Sequence, residues 1–133
     1  DAVLAIFHVD GVDGHTRAAR VALAAARDAE RRLADVNATR AANDEEALDF
    51  GLGLHLGDLM FGNIGVPERV EFSVVGPAAN EGARLEGMTK DLGRRILVSE
   101  SFAELLPLHW ENLGAQQVDG VENGITVFAP PKG

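Results

Sequence analysis

A chain of 133 residues with no cysteine and a net charge of −9 has room for one domain with a real core, but carries no disulfide framework and no thiolate metal site. Its acidity excludes broad contact with nucleic acid or an anionic membrane surface, and confines any small polyanion to a locally positive site or to bound cations. No apolar run nears the roughly 20 residues of a membrane span, no signal peptide is visible, and a start at Asp1 fits a piece of a longer protein.

In chain order, Val3-Leu4-Ala5-Ile6-Phe7 is a continuous apolar run and predicts a buried strand. Residues 10–14, Asp-Gly-Val-Asp-Gly, predict a turn-rich loop. Ala18, Ala22, Ala25, Ala29, Leu33 and Val36 recur at spacings of three and four, which predicts a helix over 15–37 with room to run further. Residues 48–55 and 59–64 predict two strands, joined as a hairpin across Gly57-Asp58. A second turn at 66–69 precedes a strand over 71–75. Gly76-Pro77 then opens a helix to about Lys90, with Gly93 as its stop.

Residues 95–98 predict a further strand. Ser101 and Glu104 fit a capping box on a short helix that Pro107 ends. Residues 110–118 and 125–128 predict a closing antiparallel pair, followed by a loose tail. The sum is an α+β architecture, a mostly antiparallel sheet with helices packed on one face.

The helix after Pro77 carries the chemistry of most interest. Asn80 and Arg84 stand four residues apart and share a face. Arginine offers a fork of donors suited to phosphate, and asparagine both a donor and an acceptor for a sugar hydroxyl. Together they suit a phosphorylated sugar, with Ala78, Ala79, Gly82 and Ala83 leaving space beside them. On spacing alone the plainer reading is a solvated face where Arg84 pairs weakly with Glu81 or Glu86. His8, His15 and His109 do not fall at metal-ligand spacing in the sequence, His55 reads as a packed histidine, and Trp110 as core.

Residues 51–87, "GLGLHLGDLMFGNIGVPERVEFSVVGPAANEGARLEG", resemble the catalytic domain of the class III nucleotide cyclases, the adenylate and guanylate cyclases, of bacterial type. The likeness extends to "DAVLAIF" at the start, to 96–106 and to 113–129. It implies a ferredoxin-like βαββαβ core, and homodimers with active sites at the interface. It makes residues 1–133 the C-terminal two-thirds of one catalytic domain. Asn80 falls on the residue that orients the ribose, and Arg84 on the one that stabilises charge at the α-phosphate.

Asp1 matches the second of two aspartates that hold two divalent cations, Mg²⁺ or Mn²⁺. Ser73 falls on the purine-selecting position and tilts the substrate towards ATP. Phe72 and Val75 beside it are candidates for the walls of the base pocket. The family's first metal aspartate, its purine-reading lysine and its first strand would lie upstream of Asp1. Gly51 stands where some cyclases put a phosphate-contacting arginine, and residues 119–121 where some carry a basic residue. The expected activity is conversion of ATP to 3′,5′-cyclic AMP and pyrophosphate. The alternatives are a guanylate cyclase or an inactive, dimerising regulatory module. The implied setting is cytoplasmic, in a longer protein fused to sensor or regulatory domains.

Overall fold

The structure is a computed structural model that describes residues 2–64, 71–118 and 121–132; for 61–64, 71–75, 118 and 121–123 it describes the backbone alone. Its first element is α1, Gly14–Ala42, one turn and more beyond the expected end. The polar stretch Thr39-Arg40 is flanked by alanines, so nothing in it stops a helix before Asn43, whose N–H bonds to Thr39 and Arg40 carbonyls. The Asn37 amide then ties down the returning chain. It donates to the Leu48 carbonyl at 2.9 Å and accepts from the Leu48 N–H at 2.7 Å.

The strands are β1 (Leu52–Leu54), β2 (Met60–Ile64), β3 (Glu71–Val75), β4 (Ile96–Ser99), β5 (Glu111–Val118) and β6 (Val121–Ala129). Between β3 and β4 lies α2, Pro77–Leu92, and after β4 the single turn α3, Glu100–Ala103. One sheet runs β1-β4-β6-β5 and a separate hairpin pairs β2 with β3. Three of the four pairings are antiparallel; β1 with β4 is parallel, Gly53 standing opposite Leu97. A mostly antiparallel α+β sheet was expected, and is found.

Several local expectations are corrected. The strands at 48–55 and 59–64 do not pair with each other. β2 pairs instead with β3, and β1 with β4; the turn expected at 66–69 lies outside the described residues. The run 3–7 is not a strand among the described residues: Val3 is 96% and Leu4 52% exposed. A strand exists only through pairing, and the partner of β1 is β4. Ser99, not Ser101, caps α3, its hydroxyl accepting from the Phe102 N–H at 3.3 Å. The tail is held as well: Arg27 on α1 donates to the Pro131 carbonyl at 2.9 Å.

The helices divide between the two faces of the sheet rather than sharing one. Alternation along β4 sets this up. Ile96 and Val98 face Ala19, Ala22, Leu23 and Ala26 of α1, together with Phe102, Ala103 and Leu106. Leu97 faces the other way, into a cluster with Leu85 of α2, Val127 and Ala129. Leu85, Leu97, Val98 and Val127 are fully buried. Trp110 belongs to the first layer, edge-on to Phe102 at 6.3 Å, with its indole N–H donating to the Leu106 carbonyl at 3.0 Å.

Gly53 within β1 and Gly51 just before it have a packing reason. A Cβ on Gly53 would meet the Glu86 nitrogen at 2.7 Å and the Leu85 Cβ at 2.8 Å. One on Gly51 would meet the Thr89 side chain, its Cβ at 2.8 Å and its Cγ2 at 3.0 Å. So α2 lies directly on the backbone of β1, and its azimuth is fixed by that contact.

Candidate active site

Pro77 opens α2 at its first turn, where a missing N–H is harmless, and Gly93 closes it in the left-handed conformation at φ 65°. Leu85 and Thr89 are its buried residues. At roughly 100° per residue, this sheet-facing stripe fixes where every other side chain of α2 points. Asn80 is exposed and Arg84 half-buried. The Arg84 Nη1 donates to Glu81 Oε1 at 2.6 Å, with side-chain exposures of 36% and 25%. Among the described residues this is the only hydrogen bond of the guanidinium, and it uses one of the several N–H donors of the fork.

The small residues of α2 serve a different side of the helix. Ala78, Ala79, Gly82, Ala83 and Glu86 line a cavity of about 600 Å³, walled also by residues 2–7, the alanines of α1, and β1. Asn80 and Arg84 are not among its lining residues. The expectation that these small side chains clear space for the Asn80–Arg84 pair is therefore corrected. They border the cavity, and Gly82 lies where α2 touches Gly53.

Of the other expected site residues, Phe72, Ser73 and Val75 lie on β3, opposite Asn63, Gly62 and Met60. This strand runs into Gly76 and so feeds α2. Asp1, Asp119 and Gly120 lie outside the described residues. Gly51 stands beneath Thr89, and an arginine there would collide with α2. Among the described residues no three His, Asp or Glu side chains are grouped so that they could hold a metal ion.

One polar cluster escaped the sequence reading. His55, just after β1, shares a hydrogen bond with the Ser99 hydroxyl at 2.8 Å, and Ser99 one with Ser101 at 3.0 Å. Ser101 also donates to the Leu56 carbonyl at 3.4 Å. The cluster clips the end of β1 to the start of α3 across 44 residues of sequence, a separation that no local pattern encodes. Burial holds the imidazole below its usual 6.5, with the Glu81 charge pulling the other way.

A histidine that binds its proton less well folded than unfolded stabilises the fold above about pH 6.5 and loses that contribution as pH falls below it. The melting temperature is therefore expected to drop between about pH 7.5 and about pH 5.5, with a smaller drop in His55→Gln. Equal drops by calorimetry would take His55 out of this linkage.

No family model matches the chain. Curated relatives do. It is 31% identical over 107 residues to an adenylate cyclase of Anabaena cylindrica, covering 80% of this chain and 20% of that protein. It is 33% identical over 99 residues to adenylate cyclase 1 of Rhizobium meliloti (strain 1021), covering 74% and 15%. Among solved structures, the guanylyl cyclase Cya2 superposes with a TM-score of 0.69 at 22% identity, over 92% of this chain and 62% of that one. The chain belongs to the class III nucleotide cyclases.

The adenylyl cyclase CyaB from P. aeruginosa gives the same TM-score of 0.69 at 17% identity, which speaks for the cyclase fold alone. This cyclase domain spans about a fifth or less of the curated relatives it matches. No helix among its described residues is long and apolar enough to cross a membrane.

Proposed function

We propose that the protein carrying this domain converts ATP to 3′,5′-cyclic AMP and pyrophosphate. The ribose 3′-oxygen attacks the α-phosphorus, its proton is lost to solvent or a base, and the bridging oxygen leaves with pyrophosphate. Asn80 holds the ribose through its amide. Arg84 neutralises the charge that builds on the α-phosphoryl oxygens, where a preorganised cation is worth most. The observation that carries this reading is the placement of Asn80 and Arg84. They share one face of a helix pinned to the sheet, and neither is among the helix's buried residues, Leu85 and Thr89. The adenylate cyclases among the relatives support it.

The same reading makes residues 1–133 a part of one catalytic domain. It works as a homodimer in the cytoplasm, joined to regulatory segments elsewhere in a longer chain. Two divalent cations, Mg²⁺ or Mn²⁺, belong to the proposal through the family, with Asp1 as a ligand. The described residues do not assemble a site for them, so no step is routed through a metal here. Ser73 is assigned to the base, and Phe72 and Val75 to the walls around it.

The test is incubation of the intact protein with Mn²⁺ and either ATP or GTP, with the product identified by mass. Cyclic AMP formed faster than cyclic GMP is the expected outcome, because a serine hydroxyl at position 73 can serve the adenine edge as donor or acceptor. Faster cyclic GMP would reassign Ser73 and the substrate. No cyclic nucleotide from a folded dimer would make the domain a regulatory module.

A further inference from the structure

We propose that Glu81 is a positioning residue that holds Arg84 away from bound substrate until charge develops on the phosphate. It thereby raises the KM for the nucleotide. This rests on the cyclase reading of the site. The observation behind it is the 2.6 Å contact of Arg84 Nη1 with Glu81 Oε1, one turn back on the same helix. Both side chains are partly buried, 36% and 25% exposed, so the pair is less screened than a fully solvated one.

The electrostatic consequence follows from the pair itself. Arg84 with Glu81 carries no net charge, and Glu81 puts a carboxylate beside the place assigned to a phosphate. A ground-state nucleotide must therefore compete with a carboxylate for the guanidinium. The transition state carries more charge on the α-phosphoryl oxygens and competes better. An interaction made mainly in the transition state raises kcat without lowering KM. This exchange needs no movement of the helix, since a guanidinium fork can release one oxygen and take another.

Glu81→Gln keeps the size and one hydrogen bond but removes the charge. KM for ATP is expected to fall about two- to fivefold, the range of a partly exposed ion pair, with kcat changed by less than that factor. Glu81→Asp, which keeps the charge, should retain a KM near that of the wild type. Binding of 3′-deoxy-ATP, which has no oxygen to attack with, gives a readout free of turnover. Measured by calorimetry on the intact protein, Arg84→Ala should cost little affinity when Glu81 is present and about two- to fivefold when residue 81 is glutamine. A purely structural ion pair would move the melting temperature but not this coupling.

Equal affinities of wild type and Glu81→Gln for 3′-deoxy-ATP would overturn the proposal, and continued cyclic AMP formation would leave the cyclase reading standing. Tighter binding in Glu81→Gln, with no cyclic product from any variant, would uphold Glu81 as the tuner of a nucleotide site and overturn the cyclase reading. Loss of binding in every protein would overturn both. Should Glu81→Gln fold poorly, Glu81→Ala carries the same expectation.

Discussion

Arg84→Ala in the intact protein is expected to lower turnover by about 10²–10³-fold, the scale of losing one preorganised donor from a charge-stabilising site. Affinity for the nucleotide should change far less. In the resting state the guanidinium is engaged by Glu81, so the mutation removes little that substrate had gained. The loss should therefore lie in kcat rather than KM, the signature of an interaction realised in the transition state. Arg84→Lys should fall between the two proteins, since it keeps the charge but not the planar fork. The measurement is steady-state production of cyclic AMP with Mn²⁺ across ATP concentration. Turnover unchanged in Arg84→Ala would remove Arg84 from the mechanism.

Gly53→Val is expected to be the most damaging substitution that touches no proposed catalytic group. Its Cβ would lie 2.7 Å from the Glu86 nitrogen and 2.8 Å from the Leu85 Cβ. The first of these is helix backbone, which no rotamer change can move aside. α2 must then lift from β1, at a cost of about 1–3 kcal/mol typical of overpacking. That is a drop of several degrees in melting temperature for a domain of this size. Arg84 precedes Leu85 directly, so the lift displaces the site as well. A misplacement of about 1 Å can cost on the order of 10²-fold in rate.

Gly87→Ala supplies the control. Position 87 is on the same helix, with nothing within 4 Å of an added Cβ, and should be neutral or stabilising by up to about 1 kcal/mol. Thermal melts and turnover of both variants decide the matter. A Gly53→Val protein with wild-type stability and activity would show that α2 does not need its contact with β1.

Much of the local structure was legible in the sequence because its causes are local. Pro77 and Gly93 bracket α2 by backbone geometry alone, and β5–β6 is the antiparallel pair expected, although β6 begins at Val121 rather than at 125. The partner of β1 was not legible. Gly57-Asp58 looks like a hairpin turn, yet β1 finds its neighbour more than 40 residues away, on a strand whose apolar run fits several positions. The division of helices between two faces was equally hidden, although alternation of Ile96, Leu97 and Val98 required both faces of β4 to be covered.

At the site, the shared face of Asn80 and Arg84 could be read from spacing. The Glu81 contact could be read only as one of two options, because Glu86 stands nearer still in sequence. What the small residues of α2 face was misread. Composition tells that a helix side is small, but only the packing of Leu85 and Thr89 against the sheet sets which way it points. The His55–Ser99–Ser101 cluster had no signal at all, since serine after a strand is common for capping alone.

The bond from Arg27 to the Pro131 carbonyl spans 104 residues, which has a bearing on the order of assembly. The hairpins β2–β3 and β5–β6 close short loops and are the kind of contact that forms in microseconds. The β1–β4 pairing must wait for α2 to be reeled in, and the Arg27 bond for nearly the whole chain, so both meet a larger loop-closure entropy. In pulse-labelled hydrogen exchange during refolding, amides of β5 and β6 should gain protection before those of β1. The docking of α1 through its tail contact would then be a late event, one that a ribosome can release only after almost the entire domain has emerged.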